Sequence, residues 1–317
     1  MNIGLDMMGG DFAPLEAVKG IQLFLQQHST NAQIYCIGDT AVIKPLLEEF
    51  TVVSPNVHIV HATEVIGYHE HPTKALKEKT NSSIAIGFHL LATGKIDAFL
   101  SAGNTGAMLV GAMFSIKALP GVLRPTIATI VPQTNGKTGV LLDVGLNADC
   151  KPEHLNQFAL LGSLYATHLL SIENPTVGLV NIGEEEGKGN MLTQATYPLL
   201  KENSQIQFKG NIEGRDFFAG KVDVMVCDGF TGNIVLKLAE SIYDVAAQRG
   251  VENDAFFARF HYENYGGTPV LGVAKPVIIG HGISNAKAFS NMIQLGCKMV
   301  STAFCDTIKA QLANSAV

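Results

Sequence analysis

Charge is scarce in this sequence. Asp, Glu, Lys and Arg supply only 16% of its 317 residues, and the formal net charge is −6. No Lys/Arg run is dense enough to track a nucleic-acid backbone, so no nucleic-acid partner is expected, and an acidic protein partner would need a local basic patch. Cysteine is sparse too: Cys36, Cys150, Cys227, Cys297 and Cys305 are odd in number, with no C-x-x-C and no His at zinc-finger spacing. That pattern points to a reducing cytosol and no structural metal. The strand-like start "MNIGLDMMGGD" leaves no room for a charged segment followed by an apolar one, so no signal peptide is expected and the protein is read as cytoplasmic. One stretch, Ala98 to Ile116, runs 19 residues without a charge. Its Ser101, Asn104, Thr105 and three glycines read as buried strand, turn and buried helix instead of a membrane span.

The familiar cofactor and nucleophile motifs are missing as well. "VPQTNGKT" (131 to 138) ends like a nucleotide P-loop but has Val131 where the first glycine belongs. "GEEEGKGN" (183 to 190) is one residue short and has Gly189 where Ser or Thr would hold Mg²⁺. No G-x-G-x-x-G follows a strand, which counts against a dinucleotide, and no G-x-S-x-G elbow presents a serine. Cys227 stands beside Asp228, whose negative charge raises a thiol pKa and disfavours a thiolate.

What the chain does have is apolar residues, 47% of it, enough for a large core and a buried subunit interface. Runs such as "NIGLDM", "QIYCIGD", "DAFLSAG", "GVLLDVG" and "DVMVCDG" read as strands, and Pro14 to Gln27, Lys74 to Ala92, Glu153 to Leu170 and Asn190 to Glu202 as helices. Near-continuous apolar strands alternating with helices predict an α/β fold with a largely parallel sheet covered on both faces. Ligands then sit beyond the carboxyl ends of the strands. There the chain repeats itself: "IDAFLSAGNTGAMLV" (96 to 110) lies over "VDVMVCDGFTGNIVL" (222 to 236), with acid, strand, G-x-T-G and helix in register. Strand, glycine turn and helix N-terminus make an anion cradle, although two βα turns of one sheet can also look alike because glycine suits any tight turn. Further strand-end turns are "DMMGGD" (6 to 11), "LLDVGLN" (141 to 147), "GKGN" (187 to 190), "NYGG" (264 to 267) and "GHG" (280 to 282). These turns are rich in amide donors and poor in nucleophiles. Such a site suits a reaction whose nucleophile arrives with the substrate, as when phosphate attacks a thioester and a thiol with pKa about 8.5 departs.

These blocks, in order along nearly the whole chain, resemble the bacterial phosphate acyltransferases, the PlsX family: "LDMMGGDFAP", "SAGNTGA", "LLDVGLNADCKPEHL", "GLVNIGEEEGKGNMLT", "FKGNIEGRD", "VCDGFTGNIVLK" and "NYGGTPVLGVAKPVIIGHG". The resemblance implies a three-layer α/β/α fold like that of isocitrate dehydrogenase and phosphotransacetylase, with residues 1 to 317 as one homodimeric unit. It also implies synthesis of acyl phosphate from long-chain acyl-acyl-carrier-protein and inorganic phosphate, at the start of phospholipid synthesis, with no metal or redox cofactor. It makes Lys188 and Asn233 the catalytic candidates, Lys188 neutralising phosphate or the oxyanion and Asn233 orienting the attacking oxygen or polarising the carbonyl; Lys188 also reads as a solvated loop lysine beside three glutamates. Asn104, Thr105, Gly106, Thr231 and Gly232 would cradle phosphate from two facing turns, and Asp6, Gly9, Gly10, Asp11, Asn147, Asn190 and His281 complete the expected binding set. Asp11 reads equally as a helix cap, and His281 as a histidine that holds its turn. In the family a long basic amphipathic segment works at the membrane surface; here residues 241 to 263 are shorter and not net basic, and Phe256, Phe257 and Phe260 read as bilayer contact or as core. The expected partners are the acyl carrier protein, phosphate, a second copy of the chain, a peripheral contact at the inner face of the cell membrane and a downstream glycerol-3-phosphate acyltransferase. The rival readings are a phosphate acetyl- or butyryltransferase acting on a coenzyme A thioester, and a non-catalytic scaffold for lipid enzymes.

Overall fold

The apolar runs are strands in a computed structural model, which describes residues 1–52, 54–251 and 253–314. The chain divides into two compact units, one of Met1–Leu119 with Tyr262–Thr307, the other of Pro120–His261 with the chain from Ile308. In the first unit, β1 (Asn2–Asp6), β2 (Gln33–Gly38), β3 (Val57–His61), β4 (Ala98–Ser101), β10 (Thr268–Leu271) and β11 (Val277–Ile279) lie in the order β3-β2-β1-β4-β11-β10. All neighbours run parallel except β10 against β11. Every residue of β4 and β11 is buried, so helices cover both faces, as an apolar parallel strand requires. On it pack α1 (Leu15–Gln27), α2 (Thr40–Glu49), α3 (Pro72–Glu78), α4 (Ser83–Ala92), α5 (Thr105–Gly111) and α9 (Ala286–Ser301), with a π-helical turn at Ala112–Ile116 after α5. The chain leaves β1 for β2 on one side and returns to β4 on the other. That reversal is a topological switch point, where the carboxyl ends of β1 and β4 open a crevice.

The second unit orders β5 (Thr126–Pro132), β6 (Thr138–Leu142), β7 (Thr176–Val180), β8 (Gln207–Ile212) and β9 (Val224–Val226) as β5-β6-β9-β7-β8, parallel except for the β5–β6 hairpin. Its helices are α6 (Pro152–Leu170), α7 (Met191–Glu202) and α8 (Gly229–Gln248), and α10 (Phe304–Asn314) ends in it. The three-layer α/β/α expectation holds.

Three readings change, and the rejection of a P-loop at "VPQTNGKT" holds. The helix expected over Lys74 to Ala92 is two helices, because Ser82 caps α4 by accepting from Ala85 N at 3.2 Å while pairing as a β-bridge with Glu64. "VPQTNGKT" is the β5–β6 hairpin turn, closed by Gln133 N to Lys137 O at 3.0 Å, and leads into no helix. "NYGG" precedes a strand instead of ending one: β10 was not anticipated because Pro269 interrupts its short run. Gly266, at φ +71°, is there because a Cβ would stand 2.3 Å from Met292 N of α9. Finally, the helical half of the uncharged 98–116 stretch is not wholly buried, since Phe114 is 70% exposed. No helix among the described residues is long and apolar enough to cross a membrane.

Candidate active site

At the switch point of the first unit, the ends of β1 and β4 touch backbone to backbone. A Cβ on Gly9 would stand 2.6 Å from Gly103 N, so only glycine permits that approach. Asp6 is buried beneath it, its Oδ2 accepting from Ser101 Oγ at 2.6 Å and its Oδ1 from Met8 N at 3.0 Å. Desolvation pushes the Asp6 carboxyl above the usual carboxylate range, against those hydrogen bonds. Gly10 takes φ +111°, and Asp11 N then donates to Gly282 O at 2.7 Å, bringing in the loop that carries His281. Asp11 does not cap α1, whose N-cap Pro14 has no side-chain bond; its carboxylate is exposed and its charge helps raise the Tyr68 hydroxyl to about 12, after burial. Tyr68 OH donates to Ala102 O at 3.1 Å. His281 stacks at a tilt on Tyr262, and its carbonyl accepts from Ser284 N at 3.0 Å.

The two G-x-T-G copies differ in how their helices begin. In the first, Asn104 is the N-cap: its Oδ1 accepts from Ala107 N at 2.9 Å and its Nδ2 donates to Gly67 O at 2.8 Å, so this 4%-exposed amide is spent on the fold. The amides of Thr105 and Gly106 have no protein acceptor among the described residues, the cap is neutral, and Thr105 is exposed. That N-terminus can take an anion. In the second copy the cap falls two aligned positions earlier, on Asp228, which accepts from Thr231 N at 2.9 Å and Thr231 Oγ1 at 2.8 Å. The repeat therefore lies inside the first turn of α8, with a carboxylate already at its positive end. Gly232 is demanded by packing, since a Cβ would meet Asp143 O at 1.8 Å.

Lys188 and Asn233 stand at the carboxyl ends of β7 and β9, neighbouring parallel strands of the second unit. Lys188 is exposed on a loop held by others: Lys221 Nζ pairs with Glu184 at 2.6 Å, Lys201 Nζ with Glu186 at 2.9 Å, and Asn211 Nδ2 donates to Glu185 O at 2.8 Å. Lys188 itself makes no ion pair among the described residues. Asn190 caps α7, accepting from Thr193 N at 2.9 Å, and Gly189 at φ +99° leaves no room for a Cβ beside Asn181. Asn233 is exposed and lends Nδ2 to Val144 O at 3.2 Å. Asn147 is buried, its Nδ2 shared between Pro125 O and Asp143 Oδ2, both at 2.8 Å. Its place is inside the loop that Asn233 touches.

No cysteine is poised to attack. Burial raises Cys36 and Cys305 to about 12 and Cys150 and Cys297 to about 11. Burial, and then the charge of Asp228, raise Cys227 well above the ordinary thiol value, so all five stay thiols near neutral pH.

Residues 1–249 and 251–307 match the family model described as fatty acid synthesis protein. The chain belongs to this family. Curated relatives named phosphate acyltransferase include that of Dictyoglomus turgidum, 42% identical with 95% of this chain and 94% of the relative covered, and that of Aquifex aeolicus, 43% identical with 96% and 94% covered. Among solved structures the fold is similar to a phosphotransacetylase from Streptococcus pyogenes (TM-score 0.68, 18% identity, covering 95% of this chain and 94% of that one) and to the EutD phosphotransacetylase from Staphylococcus aureus (TM-score 0.64, 15% identity, covering 95% and 94%). At those identities the likeness is one of fold.

Sequence reasoning missed Asp143 and Tyr68. Asp143 was visible in "LLDVGLN", an acid closing an apolar strand just as Asp6 closes β1. Tyr68 sits in a loop with no pattern to mark it; only the fold brings it to Ala102.

Proposed function

We propose that this chain is a phosphate acyltransferase that moves a long-chain acyl group from acyl-acyl-carrier-protein to inorganic phosphate, releasing acyl phosphate and free carrier protein. The observation that carries it is a family match over nearly the whole chain, joined to the burial that holds every cysteine as a thiol. A phosphate oxygen attacks the thioester carbonyl carbon directly; the carbonyl oxygen becomes an oxyanion, and its collapse breaks the C–S bond and expels the carrier's thiolate. HPO₄²⁻ is competent near pH 7, so the protein's work is to hold two anionic reactants and stabilise the oxyanion. Lys188 supplies the charge for that oxyanion or for phosphate, and Asn233 supplies an amide donor. The amides of Thr105 and Gly106 offer an anion seat in the first unit, with Asp6, Gly9, Gly10, Asp11 and His281 shaping its floor. Thr231, Gly232, Asn147 and Asn190 act by fixing the loops that present Asn233 and Lys188.

The same reading takes both compact units as one enzyme, cytoplasmic and homodimeric. The exposed Phe230, Ile234 and Leu238, four residues apart on α8, offer an apolar face for a second copy. The inner membrane face is a peripheral contact, and a glycerol-3-phosphate acyltransferase consumes the product. Phe260 is buried and stacks edge-on to Phe218 at 5.2 Å, so of the aromatic cluster it belongs to the core; Glu252 of the 241–263 segment lies outside the described residues.

The test is phosphate-dependent thiol release from long-chain acyl-acyl-carrier-protein, beside long-chain acyl-CoA and acetyl-CoA, with acyl phosphate identified as product. Release from the carrier thioester is expected; turnover with acetyl-CoA alone would make the chain a phosphate acetyltransferase. Asn233→Ala is expected to lower kcat by about 100-fold with little change in melting temperature, as loss of one oxyanion donor does. Wild-type turnover in that variant removes Asn233 from the mechanism.

A further inference from the structure

The loop that carries Lys188 lies at the surface, where water can satisfy its carbonyls, yet side-chain amides from three different elements reach them instead. Asn181, the residue after β7, donates Nδ2 to Lys188 O at 3.1 Å. Gln194 of α7 donates Nε2 to the carbonyls on either side, Gly187 O and Gly189 O, both at 3.1 Å. Asn211 of β8 donates Nδ2 to Glu185 O at 2.8 Å, and Lys188 N donates to that same oxygen at 3.1 Å. Lys188 is thus fixed through both its N–H and its C=O. Asn181 is fixed in turn: its own N–H donates to Ile212 O of β8 at 2.8 Å, and its Oδ1 accepts from Ile182 N at 2.9 Å.

The lysine stem is placed as well. A Cβ on Gly183 would stand 3.0 Å from Lys188 Cγ and 3.3 Å from its Cδ, so the stem lies over a residue with no side chain to push it aside. Gly189 likewise lacks the Cβ that would meet Asn181 Oδ1 at 2.3 Å, which leaves that amide its place beside the loop. For stability these contacts do little, because a surface carbonyl merely exchanges water for an amide. Asn211 even carries a penalty: it is 3% exposed, and its Oδ1 meets no donor among the described residues, as an apolar side chain there would avoid. What the amides constrain is the direction in which residues 187 to 189 face.

We propose that Asn181 and Gln194, supported by Asn211 at Glu185, are positioning residues that aim the Lys188 ammonium at the reacting phosphate or oxyanion. This rests on the acyltransferase reading of Lys188 and adds which residues set its aim. None of the three touches substrate in this role; each acts through the backbone of the 183–190 loop.

Misplacing a catalytic group by about 1 Å costs on the order of 10²-fold in rate. Asn181→Ala is therefore expected to lower kcat for long-chain acyl-acyl-carrier-protein by about 10- to 100-fold at saturating phosphate. Gln194→Ala, at an exposed helical position that alanine suits, is expected to lower it by about 3- to 10-fold with no loss of melting temperature. The deciding measurement is a double-mutant cycle. In the Lys188→Ala chain neither substitution should lower the residual kcat by more than about twofold, because the group they aim is gone. A merely structural role would lower kcat by the same factor in both backgrounds, and that result overturns the proposal, as does wild-type kcat in the folded variants. Should Asn181→Ala fail to fold, Gln194→Ala decides by the same cycle. Wild-type kcat in Lys188→Ala itself is a separate failure: it removes Lys188 from the mechanism and its positioning residues with it.

Discussion

Lys188→Ala is expected to lower kcat by about 10²- to 10³-fold while leaving the melting temperature near that of the unaltered chain. The size follows from removing one fixed charge or donor from a developing oxyanion. The retained fold follows from where Lys188 sits: it is exposed between Gly187 and Gly189, and the loop is tied down by the pairs Lys221–Glu184 and Lys201–Glu186, neither of which it joins. Those pairs occupy two of the three glutamates beside it, which also weakens the alternative that Lys188 is a mere solvated counter-charge for them. Lys188→Arg keeps the charge but trades a compact ammonium for a planar fork, so it is expected to recover part of the lost rate. The measurement is turnover with long-chain acyl-acyl-carrier-protein at saturating phosphate, beside a thermal melt. Wild-type kcat in folded Lys188→Ala protein would sink the assignment; a raised KM for phosphate with kcat unchanged would make Lys188 a binding residue only.

The sheet was legible because a parallel strand buried on both faces must be apolar throughout, and runs such as "DAFLSAG" and "DVMVCDG" have no other use in a folded chain. The turns after β1, β4, β6 and β9 were legible, and α7 (Met191–Glu202) begins one residue after the start of the helix expected over Asn190 to Glu202, with Asn190, expected to bind ligand, as its cap. Illegible was which residue caps each helix of the repeated pair. Asn104 and Asp228 are both good caps, two aligned positions apart, and the choice decides whether the G-x-T-G amides face a ligand or close on their own helix. Residue type likewise did not reveal that Asn104 and Asn147 spend their amides on carbonyls at Gly67 and Pro125, because those partners are 37 and 22 residues away. The break between α3 and α4 depended on Ser82 meeting Glu64, another distant pairing. Strand periodicity is local information; the assignment of polar side chains to caps or to ligands is not.

Asp143→Ala is expected to cost about 3–5 kcal/mol of stability, because several buried donors lose their acceptor at about 1–3 kcal/mol each, and to lower the melting temperature by on the order of 10 °C. Asp143 is fully buried at the end of β6. Its Oδ1 accepts from Ile127 N and Leu146 N, both at 3.2 Å, and its Oδ2 from Asn147 N at 2.6 Å and Asn147 Nδ2 at 2.8 Å. Removing the carboxylate leaves four donors without their acceptor inside the protein, which is dearer than losing the bonds alone. The loop so organised also sets the start of α8: Asn147 O accepts from Gly229 N at 2.7 Å, Val144 O from Asn233 Nδ2 at 3.2 Å, and Gly232 lies too close to Asp143 O to carry a side chain. Turnover should therefore fall further than stability accounts for, even below the melting range, because the Asn233 amide loses its support. Asp143→Asn keeps one acceptor oxygen but turns an NH₂ toward N–H donors, so its loss should lie between the wild-type chain and the alanine variant. A melting temperature within about 2 °C of wild type for Asp143→Ala would mean that the four donors find other acceptors or water, and that the 143–147 loop is not what holds Asn233 in place.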